Sequence, residues 1–284
     1  MISRVGMWFL AGGIALALVA AACGGPRAAS SMKSRDEEAL NHYRRGIVAF
    51  EQRRYADSLK ELQQAVKLAP DKPEISYRLA LVHYSLGEWD AAEAAVRPVV
   101  EADPYSSDAR LLLGAVLSEK GQHEAALGEF KAVLADRTYT TPEKAWVNIA
   151  LLYEKMGNLD EAVTAFRKAL DANPKHSRAH YGLAEAFDKM NRLPEAIAEY
   201  EVASGDYEEL PEFHYQYGLA CFRRLKNLEK GSPEEKGQGP GGAGAASDIM
   251  ALKECARKHL DTVVKRVPGT TDASRAEEIL KLIR

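Results

Sequence analysis

The sequence predicts an all-α fold, a solenoid of about six helical hairpins that ends in a C-terminal capping helix. Two observations predict it. Glycine and proline recur with a period, since Gly87 and Gly121, and likewise Pro70 and Pro104, are 34 residues apart. Between them, apolar residues recur at helical spacing. A fixed period of this length is typical of stacked units that contact only their neighbours, and 284 residues is an ordinary length for such a stack.

The clearest unit, residues 143–176, shows what each position does. Its first helix ends at Gly157, because glycine readily takes the left-handed conformation that follows a last turn. Its second helix ends before Pro174, which cannot continue a helix. The apolar stripes are Trp146, Ile149, Ala150 and Tyr153 in the first helix and Leu159, Ala162, Phe166 and Ala169 in the second.

The same register places complete units at 39–72, 73–106, 107–140 and 177–210. A small residue recurs where the two helices of a unit cross, at Ser58, Ala92, Ala126, Ala162 and Ala196. The unit resembles the tetratricopeptide repeat across its full length. That resemblance implies a right-handed superhelical solenoid of about six tetratricopeptide repeats with a C-terminal capping helix, in which residues 39–225 hold repeats 1–5 and the first helix of repeat 6.

The sixth unit is interrupted by residues 226–247, which are rich in glycine, proline and charge and predict a flexible insertion. Residues 237–242 read GxGxxG, but no strand precedes them, so we interpret them as linker and not as a dinucleotide-binding loop. Residues 248–284 then predict the second helix of repeat 6 and a capping helix over 272–284.

The N-terminus has the layout of a secretory signal, with Arg4, an apolar run over 5–22 and small residues before Cys23. This run resembles a bacterial lipobox, which implies a lipoprotein signal peptide over 1–22 and acylation of Cys23. Residues 23–38 then form a lipidated N-terminus and flexible tether. A glycine after the cysteine, here Gly24, resembles the pattern of lipoproteins that are exported to the outer membrane, which implies a location on its periplasmic face. The alternative is an uncleaved signal anchor, because the run nearly spans a bilayer.

No catalytic or ligand-binding motif is found. The net charge is −3 and no basic block is present, so nucleic acid is not an expected partner. His176 and His180 are four residues apart but straddle a repeat boundary, so they do not predict a metal site. We therefore expect no enzyme activity, no cofactor and no small-molecule substrate.

With Cys23 assigned to lipid, two cysteines remain. Cys221 and Cys255 lie in the two helices of the sixth unit, and an even pair in an oxidising compartment favours a disulfide. The alternative is two small residues buried in the core.

The resemblance to the repeat family also implies that positions 2, 5, 9, 12 and 13 of each first helix line a concave face. Aromatic and aliphatic residues align there beyond the core stripe, which predicts an exposed groove for a protein partner, although core packing is the alternative for any single aromatic. Repeats 4 and 5 interrupt this row with charges, so we expect the partner in the N-terminal half. The predicted groove residues are Tyr43, Ile47, Phe50, Tyr77, Leu81, Tyr84 and Leu111, with Val147, Leu151, Tyr181, Tyr215, Leu219 and Phe222 continuing the row.

Taken together, the leader, the six repeats and the cysteine pair resemble the PilF/PilW family of type IV pilus biogenesis lipoproteins. Tyr139-Thr140-Thr141-Pro142 and the closing run from Ala256 to Leu280 add to this resemblance. It implies an outer-membrane lipoprotein that binds a secretin subunit and promotes its localisation and multimerisation. The alternative is a scaffold lipoprotein of another envelope machine, for polysaccharide export or peptidoglycan remodelling.

Overall fold

The computed structural model describes residues 26–230 and 243–283, and their side chains from residues 34 and 247 onward. Every regular element in these residues is a helix, as predicted. The thirteen helices found there are α1 (Pro26–Glu51), α2 (Tyr55–Leu68), α3 (Pro73–Ser85), α4 (Trp89–Ala102), α5 (Ser107–Glu119), α6 (His123–Ala135), α7 (Pro142–Lys155), α8 (Leu159–Ala172), α9 (Ser177–Lys189), α10 (Leu193–Ala203), α11 (Pro211–Lys230), α12 (Ala243–Arg266) and α13 (Thr271–Leu282).

The helices pack in consecutive pairs, and each pair is one repeat. Every second helix also packs on the first helix of the next repeat. First helices of successive repeats, such as α5 and α7, contact each other more extensively than successive second helices do. The first helices therefore lie on the inner side of the curved stack, and their exposed surface is called the inner face below.

Small residues allow the two helices of each repeat to approach closely. Ser58, Ala92, Ala126, Ala162 and Ala196 are all completely buried, as predicted for the helix crossing. The Ser58 hydroxyl donates to the carbonyl oxygen of Gly46 at 2.7 Å, so its polar atom is satisfied.

Left-handed residues end the first helices. Gly87, Gly121 and Gly157 have φ angles of 74°, 75° and 80°. Arg53 and Asn191 take the same conformation, with φ of 58° and 59°, at the corresponding points of repeats 1 and 5. The turn is therefore kept even where glycine, the residue that adopts it without steric cost, is absent.

The N-terminal helix is longer than expected. The sequence predicted a flexible tether over residues 23–38, but α1 already begins at Pro26. Proline is well suited to the first position of a helix, and no glycine or further proline follows before residue 46 to interrupt it. The small polar composition that suggested a linker is compatible with a helix that continues into the first repeat.

The helices of the sixth repeat also exceed their predicted bounds. α11 ends at Lys230, five residues beyond the predicted boundary, and α12 begins at Ala243. Lys226 pairs with Glu229 one turn later, at 2.6 Å, and Leu228 packs on the core, so this stretch continues the helix. The centre of the predicted insertion, with the GxGxxG run at 237–242, lies outside the described residues.

The C-terminal end of the stack has a cap. The Thr270 hydroxyl accepts a hydrogen bond from the Ala273 amide at 3.2 Å and starts α13, which buries Ala276 against α12. Arg257 of α12 donates to the carbonyl oxygen of Ile283 at 3.1 Å. The last repeat is thus covered, as terminal repeats require.

Candidate protein-binding groove

Six predicted groove residues lie side by side on the inner face of the first two repeats. On α1, Tyr43, Ile47 and Phe50 are half-buried. On α3, the equivalent side chains, Tyr77, Leu81 and Tyr84, are half-buried as well. Each keeps part of its apolar surface accessible, which a binding groove needs and a closed core does not.

These aromatic residues also take part in packing. The Phe50 ring lies edge-on to Tyr55, with centroids 5.5 Å apart, and the Tyr84 ring lies 5.3 Å from Trp89. In both repeats the contact joins the end of the first helix to the start of the second. One side of the Phe50 ring and one side of the Tyr84 ring are therefore already covered. These two residues belong partly to the core and offer a partner only their remaining surface.

A hollow of about 270 Å³ lies beside Tyr77, where repeats 2 and 3 meet. Burial and the Asp108 carboxylate both raise the pKa of the Tyr77 hydroxyl, which is therefore neutral and available as a hydrogen-bond donor. The other lining residues are Pro73, Glu74, Val99, Asp103, Ser106 and Asp108.

Further along the row, the accessibility of the apolar residues varies. Leu111 is 8% exposed and Val147 is 3% exposed, so both belong mainly to the core. Leu111 therefore contributes little to a groove, whereas Leu151, Tyr181, Leu219 and Phe222 are half-buried like the row in repeats 1 and 2.

The inner face of repeats 3–6 instead carries a series of ion pairs between successive first helices. Lys155 Nζ lies 2.7 Å from a carboxylate oxygen of Glu119, one repeat earlier. Lys189 binds Glu154 in the same way, and Arg223 binds Asp188. Glu154, Lys155, Asp188 and Lys189, which interrupt the predicted groove, thus each belong to an ion pair that connects adjacent repeats.

Glu185 and Tyr181 form a polar pair in the middle of this charged region. The Tyr181 hydroxyl donates to the Glu185 carboxylate, whose pKa is raised by burial and by the nearby Glu154. Burial also raises the pKa of Tyr181. Its ring packs on Tyr207 and Phe213, with centroids 5.0 and 5.6 Å away, so Tyr181 is held firmly in place.

Position 4 of the repeat connects the two helices of a unit. His42, Arg110 and His180 bind carboxylates of the following helix at 2.8, 2.5 and 2.6 Å. In repeat 4 this position is Trp146, which is only half-buried, with Lys168 Nζ 4.4 Å from the centre of its ring. Trp146, which the sequence placed in the apolar stripe of repeat 4, therefore lies only partly in the core.

His176 and His180 have separate roles. The His176 Nδ1 accepts a hydrogen bond from the Ala179 amide at 3.2 Å and caps α9. His180 binds Glu199 through Nδ1 and the carbonyl oxygen of Pro174 through Nε2. Among the described residues, no three His, Cys, Asp or Glu side chains are grouped as metal ligands.

Two features join α11 to α12. Cys221 and Cys255 are in disulfide contact, with their Cα atoms 6.2 Å apart, and Cys221 is completely buried. Two turns from Cys221 and one turn from Cys255, the Nδ1 atoms of His214 and His259 lie 2.8 Å apart. His214 donates through Nε2 to the carbonyl oxygen of Glu208 at 2.7 Å, so its Nδ1 accepts and His259 donates. No motif in the sequence suggested this buried histidine pair.

The predicted lipidation site, Cys23, lies outside the described residues. Of the helices that are described, none is long and apolar enough to cross a membrane.

The paired helices, stacked one repeat on the next, define a helical repeat protein. The tetratricopeptide repeat model matches residues 43–107, 77–140 and 147–211, which is more than half of the chain. The chain therefore belongs to the tetratricopeptide repeat family.

Two solved structures share this fold over most of the chain. PilF of Pseudomonas aeruginosa superposes with a TM-score of 0.61 over 86% of this chain and 99% of its own, at 16% identity. PilW, described as a widely conserved type IV pilus biogenesis factor, gives 0.64 over 84% and 98%, also at 16% identity. At this level of identity the likeness concerns the fold.

A similarity in sequence links the repeats to a much larger protein. Cellulose synthase operon protein C of Pseudomonas fluorescens is 29% identical over 151 residues, which are 51% of this chain. The match spans only 12% of that protein's length, so it reflects the repeats and not the whole protein.

Proposed function

We propose that this chain is a non-catalytic lipoprotein scaffold on the periplasmic face of the outer membrane. There it binds a secretin subunit and promotes the localisation and multimerisation of that subunit during type IV pilus assembly. The observation that carries the proposal is the likeness in fold to PilF and PilW, which extends over nearly all of both proteins. The leader that ends at Cys23 supports the same assignment.

In this proposal the acyl chains on Cys23 fix the location and the inner face captures the partner. Two acyl chains already suffice for stable anchoring. Because α1 begins only three residues after Cys23, the first repeat stays close to the membrane. The half-buried Tyr43, Ile47, Tyr77 and Leu81 then offer the secretin segment aromatic and aliphatic contacts, which dominate binding energies at protein interfaces.

The binding site is tested by matched pairs at positions 5 and 9 of two repeats. Tyr43→Ala with Ile47→Ala removes apolar surface in repeat 1, and Tyr181→Ala with Glu185→Ala removes the equivalent residues of repeat 5. Circular dichroism checks that both variants fold. We expect the first pair to abolish secretin multimers and pilus-dependent motility, and the second to retain them. The reverse result would place the site in the C-terminal half.

The anchor is tested separately. Cys23→Ser is expected to prevent incorporation of labelled palmitate and to move the protein out of the outer-membrane fraction. Unchanged recovery in that fraction would contradict the lipoprotein assignment but would say nothing against the predicted groove.

A second candidate is a scaffold lipoprotein of another envelope machine, such as polysaccharide export or peptidoglycan remodelling. The similarity to cellulose synthase operon protein C favours it, but that match covers half of this chain and a small part of the relative. Pull-down of the lipidated protein from envelope extracts distinguishes the two, because the first predicts a secretin and the second a synthase or export component.

A further inference from the structure

The outer groove between α1 and α2 differs from the same groove in every later repeat. In repeats 2–6, each of which has a repeat before it, the residue at position 10 of the first helix is at most 1% exposed. In repeat 1, this residue is Val48, and 48% of its surface is exposed. The covered residues are Val82, Val116, Leu152, Ala186 and Ala220.

The space beside Val48 corresponds to one that a helix flanks elsewhere. A hollow of about 440 Å³ lies there between α1 and α2. Its counterpart in repeat 4, of about 350 Å³, is lined at five of the equivalent positions, which are 7, 11, 19, 22 and 23, and also by Leu127 and Lys131 of α6, the preceding second helix. The shape of the first repeat is thus suited to a helix, and none of the described helices lies there.

The charges around this hollow are predominantly basic, although the whole chain carries −3. Arg45 lies 3.5 Å from Glu61, and Arg54 lies 3.3 Å from Asp57. Arg44 and Lys60 line the same hollow, are exposed, and have no carboxylate partner among the described residues. Two cations are therefore left over on a surface that also exposes an apolar side chain.

We propose that this N-terminal edge, formed by Arg44, Arg45, Val48, Arg54 and Lys60, docks an amphipathic helix of a partner protein whose polar face is acidic. The helix takes the place of the second helix that would precede repeat 1. Its apolar stripe covers Val48 and Ala49, and its carboxylates bind Arg44 and Lys60. The edge lies outside the inner face, so this contact is additional to the groove.

The test uses two synthetic peptides with one apolar stripe, one with glutamate and the other with lysine on the polar face. Each has 14 residues, the length of α2 and α4. Binding to the purified full-length chain is measured by fluorescence anisotropy. We expect the acidic peptide to bind roughly tenfold more tightly, and the double variant Arg44→Glu with Lys60→Glu to reverse this preference.

Two controls make the result specific to the edge. Thr164→Glu changes the position of repeat 4 that corresponds to Lys60, where α6 flanks the groove, and is expected to leave peptide binding unchanged. Val48→Asp, at an exposed position, is expected to weaken both peptides. The proposal is overturned by equal binding of the two peptides, by no binding of either, or by a preference that survives charge reversal. It is also overturned if vesicles of phosphatidylcholine and phosphatidylglycerol displace the acidic peptide, because the edge would then be a membrane surface.

Discussion

The two ends of this solenoid solve the problem of a terminal repeat in different ways. At the C-terminus, α11 and α12 are joined by a disulfide contact and a histidine pair and are then covered by α13. At the N-terminus, Val48 of repeat 1 is exposed and the aromatic residues Tyr43 and Phe50 are only half-buried. No ion pair between described residues joins α1 to α3, unlike the first helices of repeats 3–6. The C-terminal end of the stack is therefore held by links between its helices, whereas the N-terminal end keeps apolar surface accessible.

The difference indicates how stability is distributed along the chain. In a solenoid each repeat depends on its neighbours, so a firmly held C-terminal half supports an N-terminal half whose surface stays available. The comparison predicts that the loss of a core, covalent, titratable or ionic contact lowers stability unequally in the two halves.

The largest effect is expected from core truncation. Phe166→Ala removes a completely buried ring in the centre of the stack and is expected to lower the free energy of unfolding by about 3 to 5 kcal/mol. Leu62→Ala, in the first repeat, also creates a cavity, but repeat 1 has one neighbour only. Hydrogen exchange should therefore show local loss of protection in α1 and α2 for Leu62→Ala and loss across several repeats for Phe166→Ala. Equal spread in both variants would mean that the two ends are equally coupled.

The next effect concerns the pair Cys221 and Cys255. Oxidation closes a separation of 34 residues, so reduction is expected to cost roughly 3 to 4 kcal/mol in denaturant unfolding on a loop-entropy basis. Protection in α1 and α2 should not change. Mass spectrometry without reductant checks the bond itself, and two freely alkylated thiols at these positions would refute it. Cys221→Ser with Cys255→Ser serves as the control, since it should not respond to reductant.

A smaller, pH-dependent effect is expected from the histidine pair. Burial, and then the neighbouring His214, lower the pKa of His259 to about 3, so the folded protein keeps this ring neutral while the unfolded chain protonates it near pH 6.5. Its contribution is thus complete above pH 6.5 and is lost progressively as the pH falls toward 3. From pH 7.5 to 5.5 we expect a loss of roughly 1.4 kcal/mol.

A matched variant isolates this effect. His259→Asn keeps a donor for His214 but cannot be protonated, so the loss between pH 7.5 and 5.5 should shrink. A profile that is the same in wild type and in His259→Asn would show that other groups control the acid response.

The repeats were predictable from sequence, whereas the contacts between repeats were not. Periodicity fixed the register, the helix crossings and the left-handed turn at Gly157, because each depends on residues within one unit. The ion pairs join residues 35 or 36 apart, such as Glu154 and Lys189, and only the stacking of units brings them together. A search for opposite charges about one period apart at positions 12 and 13 would have found them. The extent of α1 was missed because its small polar residues are equally typical of linkers.

The smallest effect is expected from a single ion pair of the inner face. Glu119 and Lys155 are each more than a third exposed, so solvent screens their attraction. A double-mutant cycle with Glu119→Ala and Lys155→Ala should give a coupling of about 0.2 to 1 kcal/mol that declines with added salt. Ser85→Lys places a cation at position 13 of repeat 2, the same position as Lys155. This variant should extend the series of ion pairs toward the N-terminus and raise the free energy of unfolding by a few tenths of a kcal/mol. If the cycle gives no coupling, the ion pairs do not brace the stack. The stability of the C-terminal half then comes from the aromatic contacts of Tyr181 with Tyr207 and Phe213 and from the two links between α11 and α12.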